Sequence, residues 1–224
     1  MGAAKYNIKG SGYVGAFATA NDSVTLVGIG AKENVKHVLS STLKTRVFEV
    51  SVSGTDLVGV FARANSNGIL LPRMIEDYEL SRIKELGIDI RIGTISGGLN
   101  AVGNNIIAND RIAIANPDYD HRALVEIRDV LGVEVVRHEI GGFKTVGANN
   151  ILTNSGFIVN NRTTDEQKEA LEQLVGLESV RTTVNTGSLY VGLSSIANSS
   201  GVVVGDETTG YELARVMDGL NIKD

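Results

Sequence analysis

The sequence SGTDLVGVFARANSNGILLP, residues 53–72, contains a pattern that returns along the whole chain. A glycine is followed by three variable residues and then by Val-Gly, and an Ala-Asn pair comes shortly afterwards. The five copies of Gly-x-x-x-Val-Gly are Gly10–Gly15, Gly54–Gly59, Gly98–Gly103, Gly142–Gly147 and Gly187–Gly192. Because successive copies are 44 or 45 residues apart, the chain is predicted to consist of five repeats.

An asparagine follows each copy of the glycine pattern, at Asn21, Asn65, Asn109, Asn154 and Asn198. These asparagines are 44, 44, 45 and 44 residues apart, which places one extra residue between Gly147 and Asn154. We expect the asparagines to serve turns, because Asn tolerates left-handed backbone and its side chain bonds nearby backbone groups. The glycine after each valine is expected to allow close approach to the neighbouring repeat or to form a bulge.

Each repeat combines strand-like and helix-like segments in the same order. A short, β-branched apolar run follows each asparagine, as at Val24–Val27 and Val202–Val204, and is typical of a buried strand. Apolar residues at helical spacing come next, and an alternating strand then leads to the following glycine pattern. Thr163-x-x-Glu166 and Thr209-x-x-Glu212 are predicted to be capping boxes at two helix starts.

The two ends of the chain complement each other. The first residues match the strand that precedes each glycine pattern, whereas the last residues follow a helix without such a strand. If the N-terminal strand joins the last repeat, the ring closes and no sheet edge is left open. The sequence therefore predicts an α/β fold in one domain, residues 1–224. Its five β–α repeats of about 44 residues surround an axis, with strands inside and helices outside, and the fifth is split between the termini.

Composition excludes several classes of protein. The chain has no Cys, which rules out disulfides, thiolate metal sites and a cysteine nucleophile. It shows neither an apolar run of about 18 residues nor the hydrophobic core of a signal peptide, so we expect a cytoplasmic protein without membrane contact. A net charge of −5 without a Lys/Arg cluster favours a basic protein partner over a dominant nucleic-acid surface. The scattered basic residues that folding could gather include Lys5, Lys9, Arg63 and Arg73.

The whole chain resembles the archaeal and eukaryotic translation initiation factor 6 family. The resemblance is most specific in Gly68–Pro72, Ala101–Asp120, Val146–Gly156 and Val202–Leu213. It implies a closed five-fold pseudosymmetric α/β propeller, the pentein fold, in agreement with the predicted ring. The chain ends soon after the last predicted helix, without the extended tail of eukaryotic members, and is therefore similar to the archaeal ones. It departs from the family at Ile158–Thr164, where a proline is expected after the strand.

The resemblance implies a factor without enzymatic activity that binds the large ribosomal subunit and blocks its joining to the small subunit. A role in subunit biogenesis is a further expectation. The expected partners are a ribosomal protein and a nearby rRNA loop, the factor is expected to be a monomer, and no cofactor or metal is needed. The predicted contact residues are Val60, Asn104, Asn105, Asn149, Asn150 and Leu189. For the asparagines, local hydrogen bonding within a turn is the alternative role.

Two other functions are open to a ring of this kind. The same fold houses guanidine-modifying enzymes, which use a nucleophilic Cys with His and carboxylates. This chain has no Cys, and its histidines, His37, His121 and His138, fall in different repeats, so catalysis is disfavoured. The other alternative is a ring-shaped scaffold that binds proteins other than those of the ribosome.

Overall fold

The computed structural model describes residues 2–223. The strands within this range are Ala3–Tyr6 (β1), Ala18–Ala20 (β2), Val24–Gly28 (β3), Arg46–Val50 (β4), Arg63–Ala64 (β5), Gly68–Pro72 (β6), Arg91–Ile95 (β7), Ile106–Ala108 (β8), Ile112–Ala115 (β9), Glu134–Arg137 (β10), Ile151–Leu152 (β11), Phe157–Asn160 (β12), Ser179–Thr182 (β13), Ser195–Ala197 (β14) and Val202–Gly205 (β15). The α-helices are Glu33–Leu43 (α1), Val58–Phe61 (α2), Asp77–Lys84 (α3), Val102–Asn105 (α4), His121–Leu131 (α5), Val146–Asn149 (α6), Asp165–Val175 (α7) and Gly210–Gly219 (α8). A 3-10 helix spans Val14–Ala16.

The strands form five sheets of three strands each, one sheet per repeat. In the first sheet, the middle strand β3 is antiparallel to β2 and parallel to β4, and α1 connects the two parallel strands. Every residue of β3, β6, β9, β12 and β15 is buried, which explains why these middle strands are continuous apolar runs rather than alternating ones. The short first strands β14, β2, β5, β8 and β11 contact one another in this order around the axis.

The N-terminal strand completes the fifth sheet. β1 pairs in parallel with β15, so that Ala3 lies opposite Val202 and Tyr6 lies opposite Gly205. The predicted closed ring is therefore confirmed. The cores also cross repeat boundaries, since Ile158 of the fourth sheet packs in one apolar cluster with Val204 of the fifth. No single repeat could bury its apolar face without its neighbours.

The glycines that follow the five valines form a ring of their own. A Cβ atom on Gly59 would lie 1.8 Å from the carbonyl oxygen of Gly15, and one on Gly15 would lie 2.2 Å from that of Gly192. Gly103, Gly147 and Gly192 make the same contact with the preceding glycine, at 1.9, 2.0 and 2.0 Å. Because a real side chain cannot occupy this space, these positions require glycine, as predicted from the sequence.

The asparagine predicted to begin the turn of each repeat is confirmed in the first, second, third and fifth repeats and is wrong in the fourth. Asn109 accepts hydrogen bonds from the N–H groups of Arg111 and Ile112, and its side chain donates to the carbonyl oxygen of Thr153 at 3.2 Å. Thr153 itself occupies the equivalent place in the fourth repeat, and Asn154 lies one residue further on. This assignment follows from the backbone hydrogen bonds, since the N–H of Thr153 donates to Gly156 O in the way that Asn109 N–H donates to Ile112 O.

The extra residue therefore lies later than predicted. It is found in the hairpin Val184–Ser188, where three residues separate the bridged pair, whereas two separate Ile140 from Phe143 in the preceding repeat. The larger loop contains Asn185, Thr186 and Gly187, all three with positive φ. A hairpin tolerates this insertion because its tip is not part of the core.

One of the two predicted capping boxes, Thr209-x-x-Glu212, is confirmed, and the other, Thr163-x-x-Glu166, is wrong. Thr209 and Glu212 begin α8 with the expected reciprocal hydrogen bonds. In α7, however, the capping residue is Thr164, whose hydroxyl accepts the N–H of Gln167 at 3.2 Å, and not Thr163. The side chain of Gln167 instead accepts the N–H of Gly141 at 2.8 Å, which ties this helix to the hairpin of the preceding repeat.

Candidate interaction face

The ring has two ends with different chemistry. The first strand of each sheet runs from a Val-Gly segment to a polar turn, so all Val-Gly segments lie at one end and all polar turns at the other. We call these the Val-Gly end and the Asn end. The Val-Gly end comprises 12–16, 56–60, 100–104, 144–148 and 189–193 together with the N-termini of the long helices. The Asn end comprises the turns that begin at Asn21, Asn65, Asn109, Thr153 and Asn198.

Exposed apolar side chains are concentrated at the Val-Gly end. Among residues 2–223, seven large apolar side chains are exposed, and all but Leu174 lie at this end: Tyr13, Ile29, Met74, Tyr78, Tyr190 and Tyr211. Tyr13 and Tyr190 precede the valine in adjacent repeats and are 44 % and 45 % exposed. Neither tyrosine was predicted as a contact residue, although a tyrosine directly before a Val-Gly pair could have indicated one. An excess of exposed aromatic side chains at one end of a protein favours that end as an interaction surface.

The Asn end is polar, and its polar groups bond one another. The side-chain amide of Asn154 donates to Asp22 at 2.8 Å and to Asp110 at 2.7 Å, which joins the first, third and fourth repeats. The hydroxyl of Ser199 donates to Asp22 at 2.9 Å. These contacts hold the turns together and place two carboxylates around the axis at this end.

Three of the predicted contact residues, Val60, Asn104 and Leu189, are half-buried at the Val-Gly end. Val60 and Asn104 occupy the same position in adjacent repeats, on α2 and α4, and these two short helices contact each other. We find no hydrogen-bond partner for the side-chain amide of Asn104 within residues 2–223. The structure thus brings Val60 and Asn104 together and leaves the Asn104 amide available to a partner.

Asn149 is fully buried. Its side chain accepts a hydrogen bond from the hydroxyl of Thr145 at 3.1 Å and donates one to the carbonyl oxygen of Leu189 at 3.2 Å. The second bond crosses from the fourth repeat to the fifth and fixes the backbone before the last Val-Gly pair. This is the local bonding that we considered as the alternative role, so a direct contact of Asn149 with a partner stays a prediction.

Asn105 and Asn150 are also buried, with exposures of 5 % and 1 %. Asn105 accepts a hydrogen bond from the side chain of Asn116 at 2.6 Å. Asn150 accepts one from the backbone N–H of Asn160 at 3.0 Å and another from its side chain at 3.2 Å. Both amides therefore join a first strand region to the end of the neighbouring middle strand, and a direct contact role for them stays a prediction as well.

Two buried glutamates tie helix starts to hairpins. Glu79 accepts the N–H groups of Ser53 and Gly54 at 2.8 and 3.0 Å, and Glu212 accepts that of Gly187 at 2.8 Å. Burial alone would raise the pKa of both carboxyls, but the hydrogen bonds outweigh it and hold each pKa below its ordinary value. Their perturbed pKa values thus have a structural cause at the Val-Gly end.

The described residues contain no group of three or more side chains placed to hold a metal ion. His37 lies within α1, His121 begins α5 and His138 follows β10, so the three histidines remain in different repeats. Between residues 2 and 223, every helix is too short or too polar to cross a membrane.

The family model for the eIF-6 family matches residues 3–219 of this chain. The chain belongs to the eIF-6 family. This membership covers all five repeats and confirms the family recognised from the sequence.

Curated relatives carry the name Translation initiation factor 6. The protein from Pyrococcus horikoshii is 38 % identical over 220 residues, which are 96 % of this chain and 97 % of the relative. Those from Thermococcus onnurineus and Picrophilus torridus are 39 % and 37 % identical, covering 98 % and 97 % of this chain and 98 % and 99 % of theirs. A solved dimethylarginine dimethylaminohydrolase is similar with a TM-score of 0.48 and 10 % identity, over 93 % of this chain and 73 % of that chain.

Proposed function

We propose that this eIF-6 family protein binds the large ribosomal subunit and prevents its joining to the small subunit. Family membership over residues 3–219 and relatives named Translation initiation factor 6 support this proposal. The protein acts in the cytoplasm as a monomer, and its action is by binding rather than by catalysis. The absence of Cys from the sequence and the separation of its histidines favour the non-enzymatic role.

The Val-Gly end is the ribosome-binding face in this proposal. The observation that supports it is the placement of six of the seven large exposed apolar side chains at this end. Aromatic residues are enriched in the centres of protein interfaces, and four of these six side chains are tyrosines. A stable contact needs about 800 Å² from each partner, which a face built from five converging segments can supply.

The mechanism is steric. Each repeat is hydrogen-bonded to its neighbours, so we expect the ring to lose little conformational entropy when it docks. Val60, Asn104 and Leu189 contact the partner directly. Asn105, Asn149 and Asn150 hold the backbone at this end, and their direct contact with the partner stays a prediction. A body bound across the joining surface then excludes the small subunit without any nucleotide, metal or chemical step.

The partner surface in this proposal is a ribosomal protein with a nearby rRNA loop. The chain carries a net charge of −5, which complements a basic protein better than a phosphate backbone. The two carboxylates at the Asn end, Asp22 and Asp110, would be repelled by rRNA and therefore face away from it.

Binding to purified subunits tests the proposal and the choice of face together. We expect Asn104→Asp and Tyr190→Asp to weaken co-sedimentation with large subunits by about 30-fold each, because a carboxylate would be desolvated without a partner. Leu174→Asp is the matched control, since Leu174 is 38 % exposed and lies at the opposite end. Equal loss in the control and in the two variants would refute the assignment of the face.

A subunit-joining assay tests the activity itself. Large subunits saturated with the wild-type protein should fail to form complete ribosomes with small subunits, and the Asn104→Asp protein at the same concentration should permit joining. Normal joining while the wild-type protein stays bound would refute the proposed function and leave the binding face untouched.

A further inference from the structure

A small cavity lies on the axis of the ring, between the ring of glycines and the Asn end. Its volume is about 40 Å³. The polar residues among those that line it are Thr19, Arg63, Asn104, Asn150 and Ser195, one from each repeat. The carbonyl oxygens of the ring glycines lie against the next glycine of the ring.

Polar atoms without a partner are concentrated around this cavity. Within residues 2–223, six buried side-chain atoms lack a hydrogen bond, and three of them, Thr19 Oγ1, Arg63 Nε and Ser195 Oγ, belong to residues that line it. Thr19 and Ser195 are only 5 % and 7 % exposed. A buried polar atom without a partner is rare and costs about 1–3 kcal/mol, so a species in the cavity that accepts from these atoms would be stabilising.

The charge of Arg63 is also uncompensated by the chain. One of its terminal nitrogens donates to the carbonyl oxygen of Gly103 at 2.5 Å, but no carboxylate among residues 2–223 forms an ion pair with it. Burial lowers the pKa of Arg63 to about 10, which still leaves the guanidinium charged at neutral pH. The ring itself does not need this cation, because Thr19, Ile107, Ile151 and Ile196 occupy the equivalent positions.

We propose that the central cavity binds a small monovalent anion of the halide class, paired with the Arg63 guanidinium and bonded by the hydroxyls of Thr19 and Ser195. The guanidinium N–H can only donate and the hydroxyls can donate, so together they suit an acceptor with negative charge. The guanidinium repels cations. A water molecule needs about 10–15 Å³ by the same measure of volume, so the cavity has room for a halide with a water molecule and excludes nucleotides and other large anions.

Anion binding would link the repeats at the axis. Thr19 lies in the first repeat, Arg63 in the second and Ser195 in the fifth, so one ion would bridge the junction where the chain closes on itself. Because the three residues line one cavity only in the folded ring, the anion would bind the native state and stabilise it.

Bromide is the probe for this site. Crystals grown in sodium bromide should show an anomalous difference peak in the cavity, within hydrogen-bond distance of Arg63 Nε, and crystals of Arg63→Met should lack it. In solution, the melting temperature should rise by about 3–6 °C for each tenfold increase of bromide above its Kd, measured against sodium methanesulfonate at equal ionic strength. The Arg63→Met protein should not respond.

Two further variants make the outcome decisive. Arg111→Met removes an exposed arginine and should keep the full bromide response. Thr19→Val keeps the cation but removes one donor, so it should weaken the response, and it serves as the test if Arg63→Met does not fold. A cavity that holds only water in bromide-grown crystals, or an equal bromide response of wild type and Arg63→Met, would overturn the proposal.

Discussion

The side-chain amide of Asn198 donates a hydrogen bond to the backbone carbonyl oxygen of Asn21, 3.0 Å away, although the two residues are 177 positions apart in sequence. Asn198 also donates to the carbonyl oxygen of Leu43, the last residue of α1, at 2.8 Å. The same kind of bond joins Asn21 to Asn65 at 2.7 Å and Asn65 to Asn109 at 3.0 Å. One ladder of amides thus connects the repeats, and its Asn198 rung joins the last repeat to the first.

We expect Asn198→Ala to lower the free energy of unfolding by about 2–4 kcal/mol. The change removes two hydrogen bonds between repeats, to the carbonyl oxygens of Asn21 and Leu43, and two within its own turn, from the N–H groups of Ser200 and Gly201. A buried group left without a partner costs roughly 1–3 kcal/mol. Denaturant unfolding followed by circular dichroism measures the difference.

Thr153→Ala is the matched control for this change. Thr153 occupies the equivalent place, but its hydroxyl bonds only within its own turn, to Gly156 and Ser155. We expect a loss of about 1 kcal/mol. If both variants lose the same stability, the bonds between repeats contribute nothing beyond the turns themselves.

Gly59→Ala should prevent folding or reduce stability by more than about 3 kcal/mol, because its Cβ would lie 1.8 Å from the carbonyl oxygen of Gly15. Gly210→Ala, at the first residue of α8, has no atom within 4 Å of the added Cβ and should be neutral or stabilising by up to about 1 kcal/mol. Thermal melts of the two variants provide the comparison. A Gly59→Ala protein as stable as wild type would contradict the close contact in the glycine ring.

Deletion of residues 1–12 should cause aggregation or a broad, non-cooperative melt. It removes β1, the parallel partner of β15, and exposes an unpaired edge in the fifth sheet.

The same experiment bears on domain organisation, since we predict that the whole chain unfolds as one domain in a single transition. A full-length protein that melts in two separate transitions would be inconsistent with one domain, and a deletion variant that melts like wild type would argue against dependence on ring closure.

The free energy of unfolding should decrease as the pH is lowered below about 4.5, because the pKa of Glu212 in the folded protein is lower than its ordinary value of 4.5. The unfolded chain then binds more protons than the folded one, so the stabilisation is present above pH 4.5 and is lost as pH falls through the folded pKa. The Glu212→Gln protein should be less stable at pH 7, and its free energy of unfolding should depend less on pH in the acid range. Glu207→Gln, on an exposed residue, should keep the wild-type profile, and an unchanged pH dependence in Glu212→Gln would contradict the assignment.

Asn149→Asp should chiefly affect stability, whereas Asn104→Asp should chiefly affect ribosome binding. The Asn149 amide is buried and donates to the carbonyl oxygen of Leu189, so a carboxylate there would face that oxygen without a proton and destabilise the fold by about 2–4 kcal/mol. Melting temperature and co-sedimentation with large subunits, measured on both variants, separate the two effects. An Asn149→Asp protein that melts like wild type but fails to bind would instead make Asn149 a contact residue.

The sequence by itself determined the number of repeats, their order of strands and helix, the closure of the ring by the N-terminal strand and the family. These features are encoded locally, because each repeat carries the same apolar runs and the same glycines. A position that must accommodate a neighbouring backbone is glycine in every repeat, and five glycines at the same spacing can be recognised from the sequence alone.

Only the tertiary structure decided the features that depend on which atoms meet across repeats. Asn154 is spaced like a member of the asparagine series, but the backbone hydrogen bonds assign that place to Thr153. The Thr153 hydroxyl accepts a hydrogen bond within its own turn, as the asparagine side chains do in the other repeats. Asn104 and Asn149 look alike in sequence, yet the Asn104 side chain is half-buried without a hydrogen-bond partner among residues 2–223, and that of Asn149 is buried with two. Arg63 lies in a strand where three of the other repeats have isoleucine, and its charge faces the axis only because five first strands converge there. Burial and hydrogen bonding are properties of the assembled ring, so they cannot be read from a repeat taken alone.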